Sequence, residues 1–154
     1  MTQLDAIYNT KILELAASIP RTARLANPDA TAVAHSKLCG STVTVDLVVD
    51  GDVIVDFGQT VKACLLGQAA ASLVGREVVG STGQEIRAVG ETMRAMLKEN
   101  GPPPTGKWAD LAVLEPVRDY KARHTSTLLV FEAITRALDE IAERRSKTVA
   151  ARSA

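Results

Sequence analysis

The sequence has no charge of either sign to spare, because 18 lysines and arginines balance 18 aspartates and glutamates and the formal net charge is zero. A chain so balanced lacks the electrostatic footprint by which proteins hold nucleic acid or an anionic membrane, so partners are expected among protein surfaces and small ligands. Long hydrophobic runs are missing too. Apolar runs such as 112–114 and 128–131 fall far short of the roughly 20 apolar residues that a membrane span needs. Asp5, Lys11 and Glu14 interrupt the opening segment where a secretory signal would be hydrophobic. A cytoplasmic location is therefore expected. Cysteine is scarce, and in a reducing compartment the two present argue for thiolate chemistry or plain burial and against a disulfide. A Gly-rich phosphate loop, a GxSxG elbow and an HExxH pair are all absent.

What remains is a chain of 154 residues, long enough to bury a core without disulfides or a structural metal. We read it as one domain, 1–144, followed by a polar, flexible tail, 145–154. Leu4, Ile7, Tyr8, Ile12, Leu13 and Leu15 recur at helical spacing and predict an amphipathic first helix ending near Pro20. From Ala32 the rhythm changes to period two. Val43, Val45, Leu47 and Val49 alternate with Thr42, Thr44 and Asp46, Asp50-Gly51 supplies a turn, and Val53, Val55 and Phe57 continue the alternation. With a strand near Thr31 to Leu38, this makes a small three-stranded antiparallel sheet. Helices follow over the small-residue stretch after Cys64, from about Gln84 to Glu99, over Trp108 to Val117, and from Thr125 to Arg144. The loop 101–106 contains three consecutive prolines and cannot be helical. The fold class is α+β, with helices packed on the sheet.

Three side chains are candidates for chemistry. Cys39 lies in Leu38-Cys-Gly-Ser41 between two strands, where a Gly-assisted turn presents its thiol at the sheet rim. Cys64 opens a helix, and the amide donors of a helix N-terminus favour the thiolate needed for metal ligation or sulfur transfer. Burial as small hydrophobes is the alternative for both. His124, at the start of the last helix, is either a metal ligand or a solvated residue of the polar stretch around it, whereas His35 reads as a surface or packing residue. Gly80-Ser-Thr-Gly83 forms a turn before a helix and offers a weak anion-binding signal.

Lys37-Leu-Cys-Gly40, Lys62-Ala-Cys-Leu-Leu-Gly-Gln-Ala-Ala-Ala-Ser72, Asp110-Leu-Ala-Val-Leu-Glu-Pro-Val-Arg118 and Ala122-Arg-His-Thr-Ser-Thr-Leu-Leu-Val-Phe-Glu-Ala133 occur in an order that resembles the IscU/NifU/SufU iron–sulfur cluster scaffold family. The resemblance runs from about Leu4 to Leu138, and the long interval between Cys64 and Ser126 is similar to the SufU branch. It implies the SufE/NifU-like (IscU-like) fold and a site in which Cys39 and Cys64 are the first two cysteines.

Two departures stand at the site that the resemblance implies. Ser41 stands where the family has aspartate, and Ser126 where it has its third cysteine. A serine hydroxyl must lose a proton of high pKa before it binds a soft metal well, so the set Cys39, Cys64, Ser41 and Ser126, with His124 as a replacement ligand, is incomplete for zinc or a transient iron–sulfur cluster. The resemblance implies a scaffold-like or sulfur-acceptor protein in iron–sulfur cluster assembly. It would not itself be a conventional enzyme, and Cys39 would take a persulfide from a cysteine desulfurase. Cluster-accepting proteins would be the other partners, and association with a second copy of the chain is compatible with this reading. The alternative is a diverged interaction module that keeps the fold and binds no cluster.

Overall fold

The computed structural model describes residues 8–153. Leu4 and Ile7, counted above in the first helical stripe, lie outside them. The first helix, α1, spans Thr10–Ala17, begins where Asn9 caps it by accepting from Ile12 N–H, and buries Ile12, Leu15 and Ala16. Tyr8 and Leu13, assigned to the same stripe, are exposed.

Three strands follow, β1 (Ala30–His35), β2 (Thr42–Asp50) and β3 (Val53–Lys62), paired antiparallel in sequence order. Val43, Val45 and Leu47 of β2 are fully buried, as the alternation predicts. The phase breaks further on. A bulge between Val48 and Val49 sets Val48 opposite Asp56 and Val49 opposite Ile54, which leaves Val55 unpaired. Ile54 and Phe57 therefore point inward while Val53 and Val55 are exposed, a correction to the uninterrupted period-two reading of Val53, Val55 and Phe57.

Helix α2 (Leu65–Glu77) packs on β3 and, at its outer side, on α1. Helix α3 (Gly83–Lys98) starts at Thr82, whose hydroxyl accepts from Glu85 N–H at 3.0 Å, so the anion-binding turn suggested by 80–83 is occupied by the chain's own cap and by the Glu85 carboxylate. The stretch Gly106–Asp119 is helical as expected, but in the tighter 3₁₀ form and with Pro116 inside it. Trp108 Nε1 donates to Glu85 Oε2 at 2.7 Å, tying this segment to α3. Helix α4 (His124–Ser153) crosses β1 and β2 and buries Phe131, Ile134, Leu138 and Ile141. It does not stop at Arg144, where the hydrophobic pattern ends. It runs on to Ser153, and Arg145 reaches back to donate to the Gly51 carbonyl at 2.6 Å.

On the opposite face of the sheet, Asp46 is fully buried although it sits in the outward phase of β2. The segment before β1 lies over it. Arg24 donates from Nε at 2.7 Å and Nη2 at 3.0 Å, Leu25 N–H at 3.0 Å and the Thr31 hydroxyl at 2.5 Å. Arg24 foremost, with Thr31 and the Leu25 amide, holds the Asp46 carboxyl down at about 2 against its burial.

Candidate functional site

The rim of the sheet at the start of β2 gathers the sequence candidates. The turn between β1 and β2 is closed by Ser36 N–H donating to the Ser41 carbonyl at 2.8 Å and Gly40 N–H donating to the Ser36 carbonyl at 2.9 Å. Gly40 adopts a φ of +71°, which a residue with a Cβ resists, and this lets the chain reverse immediately after Cys39. The Cys39 thiol is left exposed beside Leu38, one of the most exposed large hydrophobic residues described.

Cys64 arrives from the other side, at the N-cap of α2. Its thiol makes no bond to the helix amides, contrary to what its position suggests. It donates instead to Ser126 Oγ, 3.3 Å away on the first turn of α4. The contact depends on how closely α2 and α4 approach, and Gly67 permits that approach: a Cβ there would lie 2.9 Å from the Ser126 carbonyl oxygen.

Ser41 joins the two halves. Its hydroxyl oxygen lies 2.8 Å from Cys39 Sγ and accepts from Cys64 N–H at 3.3 Å. An amide N–H can only donate, so the hydroxyl proton of Ser41 is free to face the sulfur of Cys39. That hydrogen bond is the main reason the Cys39 thiol is held below its ordinary value. Burial opposes it, and Ser36, the Ser41 backbone and Ser126 add smaller effects in the same direction. The result is an exposed sulfur with the Ser41 hydroxyl beside it, an arrangement that favours the thiolate needed for nucleophilic chemistry. Ser36, 3.6 Å from Cys39 Sγ and almost fully buried, went unremarked in the sequence. Its three-residue spacing before Cys39, across a turn, was the available signal.

Ser126 is itself buried and donates to the Arg123 carbonyl at 3.2 Å while receiving the Cys64 thiol proton. His124 is held differently. Its Nε2 lies 3.0 Å from the carbonyl oxygens of both Val117 and Arg118. Carbonyls only accept, so Nε2 carries a proton and the ring fastens the 3₁₀ segment to the start of α4. This nitrogen is not a metal donor in that state. His35 is exposed on β1, with Nδ1 3.2 Å from Thr42 Oγ1.

The donor set does not suit a tightly held metal. Two thiols and two serine hydroxyls meet at the rim, and the hydroxyls already have partners. Among the described residues no three histidine, cysteine, aspartate or glutamate side chains come together as a metal-binding group. No helix among the described residues is long and apolar enough to cross a membrane.

No family model matches the chain. It is similar to the iron–sulfur cluster assembly scaffold protein IscU of Thermotoga maritima, with 28% identity over 138 residues covering 88% of this chain and 94% of the relative. The crystal structure of the N-terminal part of a nitrogen-fixing NifU-like protein from Brucella abortus superposes with a TM-score of 0.91 at 54% identity, covering 92% of this chain and 99% of that one. A putative iron–sulfur cluster assembly scaffold protein for the SUF system from Fervidobacterium islandicum shares the fold, with a TM-score of 0.80 at 22% identity over 87% of this chain and 98% of the other.

Proposed function

Because the chain belongs to the NifU-like family of iron–sulfur cluster assembly scaffolds, we propose that it serves cluster assembly chiefly as a sulfur acceptor, taking sulfane sulfur on Cys39 from a cysteine desulfurase. The observation that carries this reading is the exposed Cys39 thiol, with the Ser41 hydroxyl 2.8 Å from its sulfur. Accepting a persulfide asks for one reachable thiolate, whereas holding a cluster or zinc asks for several anionic ligands at once. Cys39 meets the first demand. Ser41 and Ser126 leave the second short by a carboxylate and a thiolate, so zinc or a cluster is held weakly and passed on as cargo to accepting proteins.

In this role the chain is a partner protein, not an enzyme in its own right. The exposed Leu38 beside Cys39 gives a desulfurase an apolar contact next to the accepting sulfur. A cytoplasmic setting, which keeps both thiols reduced, suits the chemistry.

The test is transfer of labelled sulfur from cysteine by an active desulfurase. Label is expected on Cys39, absent in Cys39→Ser and retained in Cys64→Ser. A second reading, an interaction module without sulfur chemistry, draws on the two serine replacements. Absence of label on both cysteines would establish it over the first.

A further inference from the structure

Ser41 touches both cysteines at the rim, the sulfur of Cys39 and the backbone of Cys64. Ser41 Oγ is 2.8 Å from Cys39 Sγ and 3.3 Å from the backbone nitrogen of Cys64. Ser126 Oγ is 3.3 Å from Cys64 Sγ and donates its own proton to the Arg123 carbonyl. The Cys39 sulfur and the Cys64 backbone nitrogen thus meet on one hydroxyl, that of Ser41. Cys39 is carried on a turn that hinges at Gly40, and Cys64 on the firm end of α2. Such a pair offers more than a landing place for sulfur. A persulfide must be discharged before its sulfur becomes sulfide, and discharge requires two electrons. With few metal ligands at the rim, the second thiol is the nearest source.

We infer that Cys64 is a resolving thiol that releases sulfide from a persulfide on Cys39 by closing a Cys39–Cys64 disulfide. The inference rests on the reading of Cys39 as the accepting thiol. In the step, the Cys64 sulfur loses its proton and attacks the inner sulfur of Cys39–S–S⁻. A bond forms between the two cysteine sulfurs, the sulfur–sulfur bond of the persulfide breaks, and the outer sulfur leaves with the electron pair. The leaving sulfur takes up the proton as hydrosulfide. The sulfane sulfur is reduced by two electrons and the two cysteines are oxidised to the disulfide, so no external oxidant is needed. An external dithiol then reopens the disulfide and returns the site to its starting state. Ser126, whose Oγ accepts a hydrogen bond from the Cys64 thiol in the resting state, keeps that thiol in place until its proton leaves to solvent.

The experiment loads the persulfide chemically, so that it does not depend on any desulfurase. The intact reduced protein and its Cys64→Ser and Cys39→Ser variants are treated anaerobically with sodium tetrasulfide and desalted. Free sulfide and intact mass are then followed over time. Wild type is expected to release sulfide and to end about 2 Da lighter than the reduced protein, with a tryptic peptide linking Cys39 to Cys64. Cys64→Ser is expected to keep a mass gain of about 32 Da on Cys39 and to release sulfide at least ~10-fold more slowly, since the internal thiol is replaced by whatever meets the protein from solution. Equal thermal unfolding of wild type and Cys64→Ser shows that the fold is not at issue. Wild type that retains the persulfide, moves the sulfur to Cys64 without a disulfide, or releases it by linking two chains would overturn the inference. So would Cys64→Ser releasing sulfide at the wild-type rate. Should sulfide release proceed as expected while a desulfurase fails to label Cys39, the resolving role stands and the acceptor reading falls.

Discussion

Strand β2 carries two polar constellations, and they are built on opposite plans. In its middle, the buried Asp46 carboxylate is saturated by Arg24, Leu25 and Thr31, groups from the segment before β1 and from β1 itself. At its start, Cys39, Ser41, Cys64 and Ser126 form a rim of small groups in which one sulfur is charge-stabilised and still exposed. The first has no capacity left for an outside molecule and serves to fasten the chain. The second leaves its reactive atom free. Stability and chemistry are thus carried by different residues a few positions apart, and substitutions should separate them.

The largest effect is expected at Asp46. Asp46→Ala removes the acceptor of four hydrogen bonds and strands the Leu25 amide and the Thr31 hydroxyl, which should cost about 2–3 kcal/mol, measured by urea unfolding. A loss no greater than that of a rim substitution would erase the distinction between the two sites. The same node sets a pH dependence. The Asp46 carboxyl is lowered from 3.8 to about 2 in the folded protein, so its stabilisation is complete above pH ~4 and is lost as pH falls through about 2. The urea midpoint of wild type should decline over that window, and that of Asp46→Asn should decline less.

Next in size is Gly67→Ala. Its Cβ would meet the Ser126 carbonyl oxygen at 2.9 Å, forcing α2 and α4 apart. A destabilisation of about 1–3 kcal/mol is expected, together with faster alkylation of Cys64 as its contact to Ser126 loosens. Unchanged Cys64 reactivity would show that the helix approach does not shape the site.

At the rim, Ser126→Cys should raise zinc affinity at least ~10-fold, and Ser41→Asp should raise it further, while unfolding free energies move by less than about 1 kcal/mol. Competition with a zinc-binding dye measures the first and urea titration the second. No gain in either variant would mean that the donor positions have drifted apart. The smallest effect is expected for Ser41→Ala. Removing the hydroxyl that faces Cys39 raises its thiol pKa, so iodoacetamide alkylation at pH 7 slows, and the rate recovers as pH is raised. A pH–rate profile identical to wild type would assign the thiolate's stabilisation elsewhere.

The sequence made the sheet and the helices legible because their signals are local. Val43, Val45 and Leu47 alternate, and the stretch after Cys64 is dense in alanine. The bulge between Val48 and Val49 was hidden, since it is a property of two strands in register and neither strand marks it alone. The alternation of β2 carries no sign that Asp46 is buried, because its partners Arg24 and Leu25 come from a segment without regular structure that folds over the sheet. The site was legible in its members but not in its bonding. Cys39 and Cys64 are legible from their turn and helix-end settings, Ser41 and Ser126 from the family pattern alone. The Cys64 side chain does not bond the helix amides that its N-cap position offers, and His124, read as a replacement ligand, turns Nε2 to two backbone carbonyls. Hydrogen bonds with a partner that any residue could supply leave no trace in residue identity.

Anaerobic reconstitution with iron, a desulfurase and cysteine, followed by desalting, tests directly whether this rim accepts sulfur more readily than it holds a cluster. Iron, acid-labile sulfide and sulfane sulfur per chain are counted in wild type and in the Ser41→Asp/Ser126→Cys double variant. Wild type is expected to show sulfur transfer through Cys39 with little retained iron, and the double variant to retain iron and labile sulfide together. Wild type that keeps a full complement of iron and labile sulfide, with no sulfur passing through Cys39, would contradict this expectation.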